Sequence, residues 1–341
     1  MSDRPLRYLQ ALNEALHQEM GRDSTVLMLG EDIRGSLRGE TKGLYEAYGP
    51  ERVIDFPISE AAMTGFATGA ALSGMRPIVE FQVSSLLYPA FDQLVNQAAK
   101  LRFMTGGQAT LPVTYIVMAS GARMGMAGQH SDNPYPFLLH AGLKVVCPAT
   151  PHDVKGLTIT AIRENDPVSV FAPAVLLGVR GPVSAEMYEI PLGIGEVKRT
   201  GSDVTVVAVG HLVNEALRVA ETLAGEGIDI EVWDPRTLLP LDRDGMFASV
   251  RKTGRVVVFD DSNRMCGFAA EVASIIAERC AADLVAPVKR VTRADVPIPF
   301  SRALEAEVLP SREQLTSAIR EILGWEAQAA RRDDSHGSRS I

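Results

Sequence analysis

The residues of this 341-residue chain that could do chemistry fall in a few short segments. PISEAAMTGFATGAALSG starts at Pro57, offers Ser59 as a helix cap and puts Glu60 in the first helical turn, just after a short strand expected around Val53 to Asp55. A carboxylate there would stand at the carboxyl edge of a sheet, where α/β proteins bind ligands. It could equally do no more than complement the helix dipole, and spacing alone does not separate the two. Gly65, Gly69 and Gly74 in the same segment suit close helix packing better than phosphate binding. GARMGMAGQHSDN (121–133) has glycines at 121, 125 and 128 that do not fit the dinucleotide fingerprint, and no helix clearly opens behind them. It reads as a mobile loop presenting Gln129, His130 and Ser131 at the same sheet edge, with His130 either an acid or base or a structural histidine. His140, in FLLHAGL, reads as packed and hydrogen-bonded. GED places Glu31 and Asp32 at another strand end, where they could also cap the next segment. Arg236, Thr237 and Asp242 in WDPRTLLPLD could form a turn locked by Pro240.

The elements that must position these residues follow from hydrophobic periodicity. Short β-branched runs, TVLMLG (25–30), PIVEFQ (77–82), VTYIVMAS (113–120), LKVVCP (143–148) and PVSVFA (167–172), alternate with helical stretches at 7–19, 60–73, 88–104 and 153–164. The third of these carries Phe91, Val95, Ala98, Ala99 and Phe103 at helical spacing. Such alternation predicts parallel strands with helical crossovers. Residues 173–202, rich in Gly and Pro, read as a connection. A second alternation then begins: VTVVAVG (204–210), a helix over 212–225, IDIEVWD (228–234), RVVVFD (255–260), a helix over 268–280 and VKRVT (288–292). The expected fold is therefore two doubly wound α/β domains with mostly parallel sheets, at 1–180 and 203–325, joined by a linker at 181–202. The tail 326–341 mixes like charges with Ser and Gly and is expected to be disordered.

Composition narrows the function. Hydrophobic residues at 46% and charged residues at 22% suit a folded chain with a sizeable core. With 34 Lys and Arg against 42 Asp and Glu, the net charge of -8 offers no basic face to a nucleic-acid backbone. Three cysteines, Cys147, Cys266 and Cys280, form no Cys-x-x-Cys pair and no disulfide framework, which suits a reducing cytoplasm. Neither a secretory signal nor a membrane-length apolar run is expected.

Taken together and in order, GED, RVIDFPISEAAMTGFATGAALSGMRPIVEFQ, YPAFDQLVNQAAK, MTGG, QHSD, GLKVVCPATPHDVKGL, AIRENDPV, EVWDPRTLLPLD and APVKRVTRADVPIPF form a specific pattern. From about residue 5 to residue 324 the chain resembles the beta subunit of the thiamine-diphosphate-dependent decarboxylating component of 2-oxoacid dehydrogenase complexes, a family with pyruvate, branched-chain and acetoin members. The resemblance implies a transketolase-like pyrimidine-binding domain followed by a transketolase C-terminal-like domain. It also implies an oxidoreductase that acts on an oxo group and passes the acyl group to the disulfide of lipoamide.

In that family the acid of the ISE motif, here Glu60, hydrogen-bonds a ring nitrogen of the cofactor's aminopyrimidine. A proton held there favours the imino tautomer that deprotonates the thiazolium carbon. The resemblance implies further cofactor contacts at Ile58, Leu86, Tyr88 and Glu31, and a role for His130 in substrate handling or acyl transfer to lipoamide. No Gly-Asp-Gly motif of the kind that holds the diphosphate through Mg2+ occurs in the chain. An alpha subunit is therefore expected to supply that half in a heterotetramer of two alpha and two beta chains, and the isolated chain is expected to be inactive. A lipoyl acyltransferase core is a further expected partner, with acidic surface on the second domain helping to dock a basic partner. Potassium is expected on main-chain carbonyls of Val113, Ala161, Ile162, Glu164 and Asp166. Two departures bear on the substrate: Leu86 stands where the family commonly has an aromatic against the aminopyrimidine, and Asp132 where it often has Gln. The alternatives are a two-subunit transketolase-like carboligase and a non-catalytic scaffold subunit.

Overall fold

The computed structural model describes residues 4–121 and 125–324; the expected tail at 326–341 and residues 122–124 of the 121–133 loop lie outside the described residues. In chain order, β1 (Arg4–Arg7) leads to α1 (Tyr8–Arg22), β2 (Val26–Gly30), α2 (Leu44–Tyr48), β3 (Val53–Asp55), α3 (Glu60–Leu72), β4 (Arg76–Phe81), α4 (Leu101–Met104) and β5 (Thr114–Ser120). The chain continues with α5 (Tyr135–His140), β6 (Lys144–Val146), α6 (Pro151–Arg163), β7 (Val168–Pro173), β8 (Arg180–Val183), β9 (Glu196–Arg199), β10 (Val204–Ala208), α7 (Leu212–Ala224) and β11 (Ile230–Asp234). It ends with β12 (Thr237–Leu239), α8 (Arg243–Thr253), β13 (Val256–Asn263), α9 (Phe268–Cys280), β14 (Lys289–Arg293), α10 (Arg302–Val308) and α11 (Arg312–Leu323).

The chain divides into two compact units. The first is Met1–Ile194 together with Arg236–Leu241 and Pro297–Glu305. Its main sheet has the order β12-β6-β7-β5-β4-β2-β3, parallel throughout except for β12, which runs antiparallel along β6. The strand VLMLG of β2 is buried at every position, as a parallel strand covered on both faces requires. Met28, Ile78 and Ile116 point to one core shared with Leu12 and Leu16 of α1 and with Val154 and Ile162 of α6. The second unit is Gly195–Pro235, Asp242–Val296 and Ala306–Ile341. Its sheet, β14-β13-β10-β11-β9, is parallel except for β9. Both units are α/β, built on mostly parallel sheets.

Several expectations are corrected. Residues 88–104 are not one α-helix: after a 3-10 turn at Ser84–Leu87, a π-helix at Gln93–Ala98 and the short α4 take its place. The Ala99 N–H reaches back five residues to the Leu94 carbonyl at 2.9 Å, which widens the backbone from the α pattern. The buried positions there are Ala90, Leu94 and Ala98, whereas Phe103 is 90% exposed. The stretch 173–202, expected as a connection, carries two short strands: β8, which pairs antiparallel with β1, and β9, which pairs with β11. A helix does open behind the 121–133 segment, since α5 begins at Tyr135 with Pro136 in its first turn. His140 ends α5 on the surface and is exposed, not packed.

Candidate active site

Four neighbouring strand ends build the site. In the order β5-β4-β2-β3 their carboxyl ends carry, respectively, the Gln129–Asp132 segment, the 84–88 turn, Glu31 and Glu60. The chain passes from β2 to β3 on one side and then to β4 on the other, so the strand order reverses at β2. A crevice at such a reversal is where open α/β sheets bind ligands.

Glu60 is the first residue of α3 and is 8% exposed, while Ile58, two residues before it, is 84% exposed. An exposed isoleucine beside a nearly buried carboxylate suits a ligand with an apolar ring face and a polar edge. Across the crevice Glu31 follows the last residue of β2, and one oxygen of its half-buried carboxyl, Oε1, has no hydrogen-bond partner. Burial, then the negative charges of Glu60 and Asp32, raise Glu31 above the usual carboxylate range. Gln82 spans the floor, its amide donating to the Glu31 carbonyl at 3.2 Å and to Glu80 Oε1 at 3.0 Å.

Beneath Glu31, sequence reasoning missed a buried acid pair. Glu80 of β4 and Glu40 are each 1% exposed. Burial, followed by the charge and contact of Glu40, pushes Glu80 well above its ordinary value, with Arg38 pulling the other way. The signal was a glutamate inside PIVEFQ, an apolar strand run that gives a charge nowhere to reach water.

His130 is exposed, and its backbone N–H donates to the Ala127 carbonyl at 3.1 Å. Leu86 is half-buried in the 84–88 turn, and the exposed Tyr88 donates its phenol to Asp132 Oδ2. The backbone of Gly125 and Gly128 runs against Arg302 and Ile298, so Pro297–Glu305 borders this edge of the first unit.

The five carbonyls expected to hold potassium lie where β5, α6 and β7 meet. Val113 O accepts from Val168 N at 3.0 Å and Ala161 O from Glu164 N at 3.3 Å. Arg76, which sequence reasoning did not single out, donates its guanidinium to Ile162 O at 3.0 Å and Glu164 O at 2.9 Å. The Asp166 carboxylate pairs with Arg102 and Lys144; burial opposes its ionisation, but these two partners leave it below the ordinary carboxylate range. Arg236 is 9% exposed and reaches the Ile194 carbonyl at 3.0 Å, and Asp242 caps α8 through Gly245 N at 2.9 Å, so both serve structure. Among the described residues no group of three or more His, Cys, Asp and Glu could hold a metal ion, and no helix is long and apolar enough to cross a membrane.

A doubly wound pair of α/β units with an acid at the reversal of the first sheet is the architecture of transketolase-type chains. The model of "Transketolase, pyrimidine binding domain" matches residues 4–179 and that of "Transketolase, C-terminal domain" residues 193–315. A solved "split gene transketolase, inactive beta4 tetramer" shares the fold at a TM-score of 0.76 and 24% identity, over 93% of this chain and 98% of its own. The acetoin:2,6-dichlorophenolindophenol oxidoreductase subunit beta of Cupriavidus necator is 44% identical over 333 residues, 94% of this chain and 98% of its own length. Its namesake in Bacillus subtilis is 42% identical over 329 residues, 92% and 96% of the two chains. Other relatives are named as beta subunits of 2-oxoisovalerate dehydrogenase and of the pyruvate dehydrogenase E1 component. The chain belongs to this family of acetoin and 2-oxoacid dehydrogenase beta subunits, oxidoreductases that depend on thiamine diphosphate.

Proposed function

We propose that this chain forms, with an alpha subunit, a cytoplasmic thiamine-diphosphate-dependent dehydrogenase that cleaves acetoin or decarboxylates a small 2-oxoacid and passes the acyl group to lipoamide on an acyltransferase core. Acetoin is the first substrate to try, because the relatives at 42% and 44% identity carry that name. The observation that carries the reading is Glu60 on the first turn of α3, facing Glu31 across the reversal of the sheet.

The residues fit the aminopyrimidine half of the cofactor. Glu60 would hold a proton at the ring nitrogen, Ile58 would cover the ring face that Leu86 covers less well than an aromatic, and the unpartnered Glu31 oxygen would meet a polar edge. Tyr88 would border the ring from the 84–88 turn. When bound, thiamine diphosphate supplies a thiazolium that accepts the electron pair released by carbon–carbon cleavage. His130, exposed on its loop, would move protons on the substrate oxygen and the acyl acceptor.

The diphosphate and its Mg2+ need donors that the described residues do not group together, and the sequence lacks Gly-Asp-Gly, so we assign them to the alpha chain. The outer face of α3 supports a partner there, since Phe66 and Leu72 are 48% and 50% exposed. A potassium ion would use the second lone pairs of the Val113, Ala161, Ile162, Glu164 and Asp166 carbonyls. The test is co-expression with the alpha chain and an assay of acetoin and pyruvate against an artificial electron acceptor. Thiamine-diphosphate-dependent turnover only in the co-expressed complex is expected; none with any 2-oxoacid or acetoin would contradict the reading.

A further inference from the structure

One short turn grips both ends of the segment that carries His130. Ser85, on the turn behind β4, donates its hydroxyl to the Gln129 carbonyl, and Ser84 donates to the Asp132 carbonyl, which also accepts from Gly121 N at 3.1 Å. Both serines are buried, at 0% and 7% exposure. The Asp132 side chain closes the grip: Oδ2 accepts from the Tyr88 phenol and Oδ1 from Asn133 N at 2.8 Å. The ring of Tyr88 is itself braced edge-on against Phe137 of α5, with centroids 6.0 Å apart. Between the gripped ends, His130 faces outward.

The serine bonds fix only backbone. The Tyr88 to Asp132 bond is a side-chain link to an acidic acceptor, of the class that is shorter and roughly twice as strong as a neutral hydrogen bond. It spans from the β4 edge to the β5 edge, so breaking it leaves that end of the segment held only through the Asp132 carbonyl. We propose that Tyr88 and Asp132 form a latch that sets the position of His130 for acyl transfer, as a positioning pair and not as catalytic residues. Misplacing a reacting group by about 1 Å can cost on the order of a hundredfold in rate, so a latch of this kind governs turnover without touching substrate. The proposal rests on the reading of His130 given above.

The test uses the reconstituted complex with Tyr88→Phe, Asp132→Ala, the double variant and Asp132→Asn, which keeps an oxygen to accept the phenol. Each of the first two lowers lipoamide-dependent kcat by about tenfold, the size of one lost hydrogen bond to a charged group. Turnover of Asp132→Ala with the artificial acceptor stays within about twofold, because substrate cleavage does not need the latch; Tyr88, which borders the cofactor ring, is read from the lipoamide assay alone. The double variant falls no further than the worse single one, as coupled partners do, and Asp132→Asn recovers most of the loss. Multiplicative losses in the double variant, or equal losses of Asp132→Ala in both assays, would overturn the latch. Should the parent complex turn over no substrate, the failure lies with the functional reading, and hydrogen exchange of the 126–133 peptide then decides. Faster exchange in Tyr88→Phe and Asp132→Ala but not in Asp132→Asn upholds the latch; unchanged exchange in all three overturns it.

Discussion

The carboxyl groups of Glu40 and Glu80 meet inside the first unit, each on a residue only 1% exposed, and Glu80 is driven toward its protonated form. Folding therefore binds a proton at Glu80 above its ordinary value of 4.5. The stability this group contributes is complete below that value and is lost as pH rises toward the higher value of the folded state. Glu80→Gln removes the ionisation while keeping an oxygen for Gln82. Thermal unfolding of the variant at pH 8 is expected roughly 3 °C or more above the parent, with little difference at pH 5. A parent transition as high at pH 8 as at pH 5, with no gain from the glutamine, would show that Glu80 is ionised in the fold.

Lys155 presents the opposite case, a buried cation that is fully paired. Its ammonium, 0% exposed, donates to Glu14 Oε1 at 2.6 Å and to the carbonyls of Ser184 and Glu186 at 2.7 and 2.8 Å, which uses all three of its N–H groups. Lys155→Met leaves Glu14 Oε1 and two carbonyls without this donor, with Arg4 still on Glu14 Oε2, and is expected to cost about 3–5 kcal/mol in denaturant titration. Glu14→Gln keeps an acceptor in place and is expected to cost less. Equal and small losses in both variants would mean that water enters and replaces the ammonium.

Potassium binding predicts a salt-specific stability. Replacing choline by potassium at constant ionic strength is expected to raise the melting transition by roughly 3 °C or more, in a concentration-dependent way. No change would indicate that Arg76, Arg102 and Lys144 already satisfy the oxygens at this turn.

The limits of sequence reasoning here are physical. The parallel strands were legible because residues such as Val26–Gly30 are buried on both faces and so read as unbroken apolar runs. Glu60 was legible because a helix start behind a short strand fixes where its side chain begins, although the Ser59 side chain makes no capping bond. The irregular helix at 93–98 was not, since Leu94 and Ala98 keep helical spacing while the backbone hydrogen bonds widen by one residue. β12 and the Pro297–Glu305 segment were also missed, because their neighbours in the first unit lie far away along the chain and leave no local period. The serines at 84 and 85 carried no signal at all, as a hydroxyl that holds a distant carbonyl looks like any loop serine.

The central claim is that Glu60 is the acid that serves the cofactor's aminopyrimidine, and the most direct measurement is the turnover of the reconstituted complex carrying Glu60→Gln at saturating thiamine diphosphate. The amide can still bond a ring nitrogen but cannot share a proton with it, so kcat is expected to fall by about a hundredfold or more, the scale of a lost general acid–base group. Turnover within a few-fold of the parent complex, from a variant that assembles and melts normally, would contradict the account.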